Sequence, residues 1–517
     1  MKRGMWRRVL AGAASGALLF AVAEFLSVFF DPVSSPFTSV GAAFIDFTPP
    51  WLKDFAVTTF GTNDKTALLT GMVVVAAAAS ALIGVAAGRS LRTANILVLA
   101  VAVAMAACVL TRSGAGPLDV LPVAAGTVAG MWALRMLTDQ AREASRPDGP
   151  GRREQASSPA SPGRRSFLLG SAAVAGAAVV LGLGGNLLAR TRNKVTEVRA
   201  ALKLPAAKTK APPLPAGVQA PVPGVGPFTT PNSGFYRIDT ALVPPQVDPT
   251  TWKLHVHGMV EHEFTMTFEE LLASDLVEAE LTLACVSNEV GGNLVGNARW
   301  LGLPLREVMA RAKPLPGADM VLSTSVDGFT ASTPLPVLQD ARNALLAVGM
   351  NGDPLPVEHG FPVRMVVPGL YGYVSATKWV VDLDVTTFAR QTAYWTSRGW
   401  SSHGPVKTAS RIEVPHDGAR VAAGAVALGG TAWAQHRGVS AVEVQLDGGS
   451  WQGAQLAADA SVDTWRQWFF IWNDAPAGDH TVRVRAHDGT GALQQEADAP
   501  PAPDGATGWH TIKFTVA

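Results

Sequence analysis

The chain has 517 residues, too many for one ordinary domain, so two or three separate hydrophobic cores are expected. Its 42 Lys and Arg residues balance 41 Asp and Glu residues, which gives no support to nucleic-acid binding. Cys108 lies in an apolar run and Cys285 in a polar half, and they are the only cysteines, so a disulfide framework is excluded.

The first part of the chain is dominated by Ala, Val, Leu and Gly and predicts an all-α transmembrane bundle over residues 1–190. Five apolar stretches are long enough, or nearly so, to cross about 30 Å of hydrocarbon as helices. These stretches are residues 10–30, 67–87, 94–110, 117–137 and 167–189. The third is short for a span, and a buried or re-entrant segment is the alternative there.

Basic residues flank these stretches on alternate sides. They are Lys2, Arg3, Arg7 and Arg8 before the first stretch, Arg89 and Arg92 after the second, and a cluster from Arg142 to Arg165 after the fourth. The positive-inside rule then predicts a cytoplasmic N-terminus, with everything after the fifth stretch outside the cell membrane. Arg112, in the loop between the third and fourth stretches, counts weakly against this topology.

The fifth stretch opens with "SPGRRSFLLGSAAVAGAAVV", in which Arg164 and Arg165 precede Phe167 and a weakly hydrophobic Ala/Gly run. This pattern resembles a twin-arginine export signal placed internally, although an arginine pair that only anchors a helix is the alternative. Such signals suit cargo that folds, with its cofactor, before export.

The apolar half itself offers few groups for chemistry. No histidine precedes His255, so a haem held between two imidazoles is not expected there. Glu24 lies inside the first stretch and is either a functional group or a carboxylate that faces a neighbouring helix. Cys108 is interpreted as packing.

A stretch rich in Pro, Ala and Lys, "LPAAKTKAPPLPAGVQAPVPGVGP", follows the helices. It predicts an extended, semi-rigid linker over residues 191–227. Beyond it, alternating patterns predict strands at 252–260, 318–326, 362–369 and 377–385, and helices at 267–274 and 304–312. Without a regular βαβ rhythm or a glycine-rich phosphate loop, residues 228–402 predict an irregular α+β domain.

Within this region, the residues of five segments and the order of these segments resemble those of the sulfite-oxidase family of molybdopterin enzymes. The segments are "TPNSGFYRIDT" from residue 230, "LACVSNEVGG" from 283, "NARWLGLPL" from 297, "MNGDPLPVEHGFPVRMVVPGLYGY" from 350 and "SATKWV" from 375. The resemblance spans about residues 228–517. It implies a molybdenum–molybdopterin cofactor with one protein thiolate ligand, Cys285, and a soft sulfur donor suits a metal that changes oxidation state.

The resemblance also assigns the other candidate site residues. Asn232, Phe235, Tyr236, His359, Arg364 and Lys378 match positions that contact the cofactor, whose phosphate calls for fixed cations. Arg237 matches a catalytic arginine that points toward substrate. Two departures make sulfite doubtful as the substrate: Val286 to Glu289 stand where paired arginines are usual, and Phe329 stands where a tyrosine is usual.

Strand patterns with turn signals recur from about residue 405, and they predict an all-β, immunoglobulin-like sandwich over residues 403–517. The run "VEVQLDGGSW" and the residues after it are similar to the family's dimerisation domain. Trp451, Trp468 and Trp472 are then core or interface packing. Whether two copies pair as a homodimer is left open by the sequence.

Together these features predict a multi-pass, membrane-anchored molybdenum oxidoreductase whose catalytic domain lies on the extracytoplasmic side. It would transfer an oxygen atom to or from a small substrate. No CxxCH motif is present in the chain, so a separate cytochrome or membrane redox protein is expected as the electron partner. Two alternatives remain: a reductase similar to the periplasmic members that repair methionine sulfoxide, and a cofactor-free binding module tethered to the membrane.

Overall fold

The computed structural model describes residues 2–30, 32–49, 52, 59–60, 64–112, 115–144, 162–192 and 195–517. Its contacts divide the chain into two compact units. The first comprises Met1–Lys194 with Thr240–Val243, and the second comprises Val195–Asp239 with Pro244–Ala517.

The first unit is helical. Its helices are α1 (Lys2–Ser27), α2 (Pro36–Phe47), α3 (Asp64–Arg89), α4 (Leu91–Leu110), α5 (Leu121–Glu143) and α6 (Pro162–Arg192). Among the described residues, five segments are helical, long and apolar enough to cross a membrane, which confirms the five predicted apolar helices. They are Met5–Ser27, Lys65–Arg89, Leu91–Leu110, Pro117–Glu143 and Arg165–Gly185. The third is one continuous helix.

Helix α1 is central in this unit, since it packs against α3, α5 and α6. A Cβ atom added at Gly12 of α1 or Gly84 of α3 would overlap the backbone of the other helix, so glycine permits this close approach. The outward faces keep large apolar side chains exposed, as Val75 at 68% and Val128 at 70% illustrate. Such surfaces are costly in water and neutral in hydrocarbon.

The acidic and basic residues singled out in the apolar half have local partners. The Glu24 carboxylate accepts hydrogen bonds from Ser35 Oγ at 2.9 Å and from the Phe37 amide at 2.8 Å, at the start of α2. This favours the interpretation of Glu24 as a group that faces a neighbouring helix. Arg112 forms an ion pair with Asp46 at 2.9 Å.

The twin-arginine segment lies at the start of α6. Arg165 is exposed, whereas Phe167 is fully buried and packs edge-on against Trp6 with ring centroids 5.9 Å apart. The side chain of Arg164 lies outside the described residues.

The second unit begins with a short helix, α7 (Val195–Ala201), and the proline-rich stretch that follows is not a free tether. The Lys208 amide donates to Leu276 O at 2.8 Å, and the Ala220 amide donates to Gln467 Oε1 at 2.7 Å. Val218, Val222 and Phe228 are at most 9% exposed. The stretch is extended, as its composition indicates, but its apolar side chains add to the core.

The α+β part of this unit has two sheets. Their strands are β1 (Lys253–Gly258), β2 (Phe264–Thr267), β3 (Val277–Ala284), β4 (Val295–Pro304), β5 (Met320–Ser325), β6 (Thr330–Pro334), β7 (Leu345–Met350), β8 (Asp353–Pro354), β9 (Arg364–Val366) and β10 (Val380–Thr386). One sheet has the order β2-β1-β10-β5-β6, and the other has the order β3-β4-β7-β8 with β9 paired to β7. Strands β1 and β10 are parallel, and the remaining pairs are antiparallel.

Four short helices connect these strands: α8 (Phe268–Leu272), α9 (Leu305–Ala312), α10 (Leu335–Gln339) and α11 (Gly372–Ser375). The predicted cap is confirmed, because Thr267 Oγ1 accepts from the Glu270 amide while Glu270 Oε2 accepts from the Thr267 amide. The predicted strands and the helices near 267–274 and 304–312 are likewise confirmed, and the irregular mixture of elements matches the α+β expectation.

The last part of the unit is all β. Its strands are β11 (Ala409–Val414), β12 (Arg420–Val421), β13 (Gly424–Trp433), β14 (Val439–Leu446), β15 (Trp451–Gly453), β16 (Gln455–Leu456), β17 (Arg466–Ala475), β18 (Gly478–Asp488) and β19 (Thr511–Val516). The sheets β11-β13-β17-β16 and β12-β19-β18-β14-β15 share one apolar core. Trp468 is fully buried in it, Trp472 packs against it, and Trp451 packs edge-on against Trp509.

Trp465 joins the β sheets to the α+β part. Its side chain is 5% exposed, its Nε1 donates to Phe228 O at 2.9 Å, and its amide donates to Thr282 Oγ1 at 2.7 Å. We expect Trp465→Ala to lower the free energy of unfolding by about 3–5 kcal/mol, because a cavity replaces the indole. Trp465→Phe keeps one ring but loses the indole hydrogen bond and part of the buried volume, so it should cost less, about 1–2 kcal/mol. Chemical unfolding measures both variants, and an equal loss of unfolding free energy in the two would contradict this account.

Candidate molybdopterin site

Cys285 lies where β3 ends and the loop to β4 begins. Its amide donates to Leu294 O at 2.9 Å, and Asn288 Oδ1 accepts from the Leu294 amide at 2.7 Å, so the loop closes on itself beside the cysteine. The residue is 8% exposed. Because β3 is buried along most of its length, the thiol lies in the interior rather than at the surface.

Burial raises the pKa of the Cys285 thiol, while hydrogen bonds from Ser287 and the charge of Lys378 act in the opposite direction. The thiolate form is therefore disfavoured until a cation or metal stabilises it. Coordination of a metal ion would supply that stabilisation.

The residues predicted to face the pterin converge on an aromatic cluster. Phe235 stacks on Tyr236 at 5.2 Å and meets His359 edge-on at 5.6 Å. His359 Nε2 lies 3.2 Å from Asn232 O. A Cβ atom at Gly296 would lie 2.8 Å from the Phe235 ring, so the glycine makes room for that ring. Asn232, Phe235, Tyr236 and His359 thus form one group.

Two buried cations lie beside this group. Arg364 is 5% exposed, and its guanidinium donates to the carbonyl oxygens of His359 and Ala376 at 3.1 and 3.4 Å. It also lies over the Trp300 ring at 5.2 Å. Lys378 is 9% exposed and donates to Asp239 Oδ2 at 2.8 Å. Arg364 and Lys378 are joined by an antiparallel bridge, which keeps the two charges adjacent.

Arg237 is placed differently from the other predicted residues. Its side chain is 37% exposed, and its Nε donates to Asp239 Oδ2 at 2.9 Å, so Arg237 and Lys378 share one buried carboxylate. The contacts of Arg237 among the described residues connect it to Cys285 through Asp239 and Lys378 rather than directly.

The cluster suits an anionic cofactor. Burial lowers the pKa of Lys378 to about 8 and that of Arg364 to about 10, and both side chains remain charged at neutral pH. Within the described part of the chain, Arg364 has carbonyl partners but no acidic partner. A buried cation without a counter-ion is costly. A phosphate would compensate it, and the adjacent thiol is a donor that molybdenum accepts, so the residues present fit molybdenum–molybdopterin.

Three residues of this region were missed by sequence reasoning: Asp239, Trp300 and Tyr371. Asp239 follows Arg237 by two positions, and an acidic residue so close to a predicted site arginine was a usable signal. Tyr236 was predicted only as a pterin contact and Tyr371 was not predicted; burial raises the pKa of both phenols, and negative charge on Cys285 raises it further. Trp300, fully buried, supports Phe235 and Arg364. Nothing in its local pattern distinguishes it from ordinary core.

The residues linked to substrate choice lie on loops. Glu289 is exposed in the loop after Cys285. Phe329, between β5 and β6, is half-buried and lies 5.8 Å from the Tyr394 ring. The tyrosines that interact electrostatically with Cys285 come instead from the Tyr236 segment and from the loop before α11.

His359 gives the site a pH dependence. Burial, with Arg364 and Lys378 nearby, lowers the pKa of His359 to about 4 from 6.5, so the folded chain holds it neutral while the unfolded chain protonates it first. Stability from this residue is therefore present above pH 6.5 and is lost as the pH falls toward 4, by up to about 3 kcal/mol. We expect His359→Gln to reduce the pH dependence of the unfolding free energy between pH 6.5 and 4. His416→Gln is the control, because His416 is exposed. If the unfolding free energy of His359→Gln changed with pH as steeply as that of the parent, the prediction would be wrong.

Comparison with known proteins identifies the class. Residues 241–395 match the family of oxidoreductase molybdopterin-binding domains. Uncharacterized oxidoreductase YuiH of Bacillus subtilis is 32% identical over 173 residues, which cover 34% of this chain and 84% of that protein. Mitochondrial sulfite oxidase of Mus musculus is 31% identical over 288 residues, 47% of this chain and 52% of that protein. The human enzyme is 30% identical over 324 residues, 53% and 58% respectively.

The fold agrees with these relatives. The sulfane dehydrogenase SoxCD of Paracoccus pantotrophus superposes with a TM-score of 0.50 at 22% identity, covering 57% of this chain and 84% of that chain. This chain spans about half the length of the sulfite oxidases it matches. It belongs to the sulfite-oxidase family of molybdopterin-dependent oxidoreductases and is a molybdenum-dependent enzyme.

Proposed function

We propose that the chain is a membrane-anchored, outward-facing oxidoreductase that catalyses two-electron oxygen-atom transfer on a small substrate other than sulfite. One observation carries the proposal: the charge of Lys378 acts on the buried Cys285 thiol, and Lys378 is bridged to Arg364, a buried cation that lacks an acidic partner among the described residues. A site built only for stability would pair that charge within the protein.

The side chains have separate tasks in this proposal. Cys285 is the thiolate ligand of molybdenum, and the bound cofactor supplies two-electron redox chemistry. Arg364 and Lys378 hold the anionic part of molybdopterin, while Asn232, Phe235, Tyr236 and His359 hold its pterin. Neutral His359 donates its Nε2–H to Asn232 O, so its Nδ1 can accept one hydrogen bond there at pH 7. Arg237, half exposed and tethered by Asp239, meets substrate from the solvent side.

Sulfite is disfavoured because a doubly charged anion needs convergent positive charge. The loop after Cys285 carries exposed Glu289 in place of paired arginines. A neutral sulfoxide or N-oxide suits this loop better, so the second candidate is a reductase acting on sulfoxides such as methionine sulfoxide. A cofactor-free binding module would leave Arg364 buried without compensation, and this disfavours that third alternative.

The remaining parts are assigned as follows. The helices of residues 1–190 anchor the chain, Arg164 and Arg165 direct export of the folded domain, and residues 191–227 link the anchor to the catalytic domain. Residues 228–402 carry the cofactor. Residues 403–517 form an immunoglobulin-like sandwich, supported by the two sheets that share one core, and this domain can pair two copies. A separate cytochrome or membrane redox protein exchanges electrons with the site.

Elemental and pterin analysis of the full-length chain, produced in a molybdenum-replete host, tests the proposal. About one molybdenum and one pterin per chain are expected. Turnover of sulfite, sulfoxides and N-oxides with artificial electron donors and acceptors then decides direction and substrate. Protein that folds without molybdenum would overturn the assignment, and rapid oxidation of sulfite would overturn the substrate proposal alone.

A further inference from the structure

A cluster of histidine and aspartate side chains lies on the sheet that contains β1 and β10. His255 and His257 alternate along β1, while Asp382 and Asp384 alternate along β10. The two strands are parallel, with His255 opposite Asp382 and His257 opposite Asp384. Because alternate residues of a strand face the same side, all four side chains share one face of the sheet.

Three of these side chains converge on one point. His255 Nδ1 lies 3.4 Å from Asp382 Oδ2, and His257 Nε2 lies 3.0 Å from the same oxygen. One donor atom from each of the three residues lies within 4.8 Å of the others. Two ligands of a tetrahedral zinc ion, each about 2.0–2.1 Å from the metal, are about 3.3 Å apart. The donors therefore need little movement to share an ion.

The outer nitrogen atoms of both imidazoles face further carboxylates. His255 Nε2 lies 2.9 Å from Glu263 Oε1, and His257 Nδ1 lies 4.0 Å from Asp384 Oδ1. Gln391 donates a hydrogen bond to Asp384 and orients it. A histidine that binds metal through one nitrogen usually donates the other N–H to a carboxylate or carbonyl, which fixes its tautomer. The Glu263 contact meets this requirement directly.

We propose that His255, His257 and Asp382 bind a divalent transition-metal ion, with Glu263 and Asp384 as supporting carboxylates. Two imidazoles and one carboxylate favour zinc or copper over magnesium or calcium. The side chains are 42, 30 and 27% exposed, respectively, so an ion can enter and water can complete its coordination. The site uses none of the residues assigned to molybdopterin.

The test is calorimetric titration of Zn²⁺ into untagged, molybdenum-loaded full-length protein that has been treated with chelator. We expect one zinc per chain with a dissociation constant of about 1 µM or tighter. His257→Ala should weaken binding by at least about 10-fold, since it removes a ligand. Asp382→Asn should do the same, and it provides an independent variant if the first one folds poorly. Cys285→Ala should keep the zinc even without molybdenum.

His262→Ala is the matched control, because His262 is an exposed histidine in the β1–β2 connection outside the cluster. It should bind zinc as the parent does. Copper supplied in place of zinc should give an electron paramagnetic resonance spectrum with coupling to two nitrogen nuclei, reduced to one in His257→Ala. Absence of stoichiometric zinc binding, or equal affinity in the parent and His257→Ala, would show that the cluster makes ordinary hydrogen bonds only.

Discussion

Cys285→Ala should lower molybdenum-dependent turnover by more than about 100-fold, because loss of a direct ligand should exceed the 10–100-fold effects typical of residues that only support ligands. Pterin should remain bound, since Arg364 and Lys378 are unchanged. X-ray absorption at the molybdenum edge should show one fewer sulfur neighbour than in the parent chain. Turnover with the best substrate of the panel supplies the kinetic measurement.

Cys108→Ala is the control for this variant, since Cys108 is the other free cysteine and lies on α4 in the helical unit. It should leave turnover and sulfur coordination unchanged. An unaltered sulfur count at molybdenum in Cys285→Ala would remove Cys285 from the metal site, and the proposed mechanism would then lack its protein ligand.

Arg364→Met should reduce cofactor affinity by roughly 10–100-fold, because a charge-assisted hydrogen bond to an anion contributes about 1.5–3 kcal/mol. Methionine fills a similar volume beside Trp300 without the charge. Arg364→Lys keeps the charge but loses the planar fork, so it should fall between the parent and Arg364→Met. The measurement is pterin and molybdenum content per chain after dialysis against cofactor-free buffer.

Arg306→Ala serves as the comparison, because Arg306 is a half-buried arginine of α9 whose guanidinium donates to Arg342 O. Its cofactor content should match that of the parent. If Arg364→Met retained full cofactor content, the guanidinium would contribute to the fold alone. The inference that an anionic ligand neutralises Arg364 would then be wrong.

The electrostatic arrangement suggests how the site divides its positive charge. Asp239 binds both Lys378 and Arg237, which partly neutralises these two cations, whereas Arg364 keeps its full charge. Arg364 lies beside His359, whereas of the two neutralised cations Arg237 is partly exposed and Lys378 is buried. We infer that this distribution of charge favours retention of an anionic cofactor over attraction of an anionic substrate. This agrees with the proposal of a substrate other than sulfite.

Much of the architecture follows from local pattern. Apolar length predicted the helices, alternation predicted strands such as β1 and β10, and Thr267 with Glu270 predicted a helix start. These features depend on neighbours in sequence, so the sequence contains them directly. The linker is less free than its composition suggests because Val218 and Val222 are buried in the second unit, and composition alone does not reveal such packing.

The sequence by itself determined the membrane-like helices, the thiol at Cys285 and the segment that carries His359, Arg364 and Lys378. Only the tertiary structure decided which charges are compensated: Asp239 joins Lys378, which lies 139 positions away, while Arg364 receives carbonyl oxygens. It also decided that His257 and Asp382, 125 positions apart, meet across parallel strands. The physical reason is that periodicity reports which face of an element is buried, whereas the partner on that face is chosen when distant segments pair.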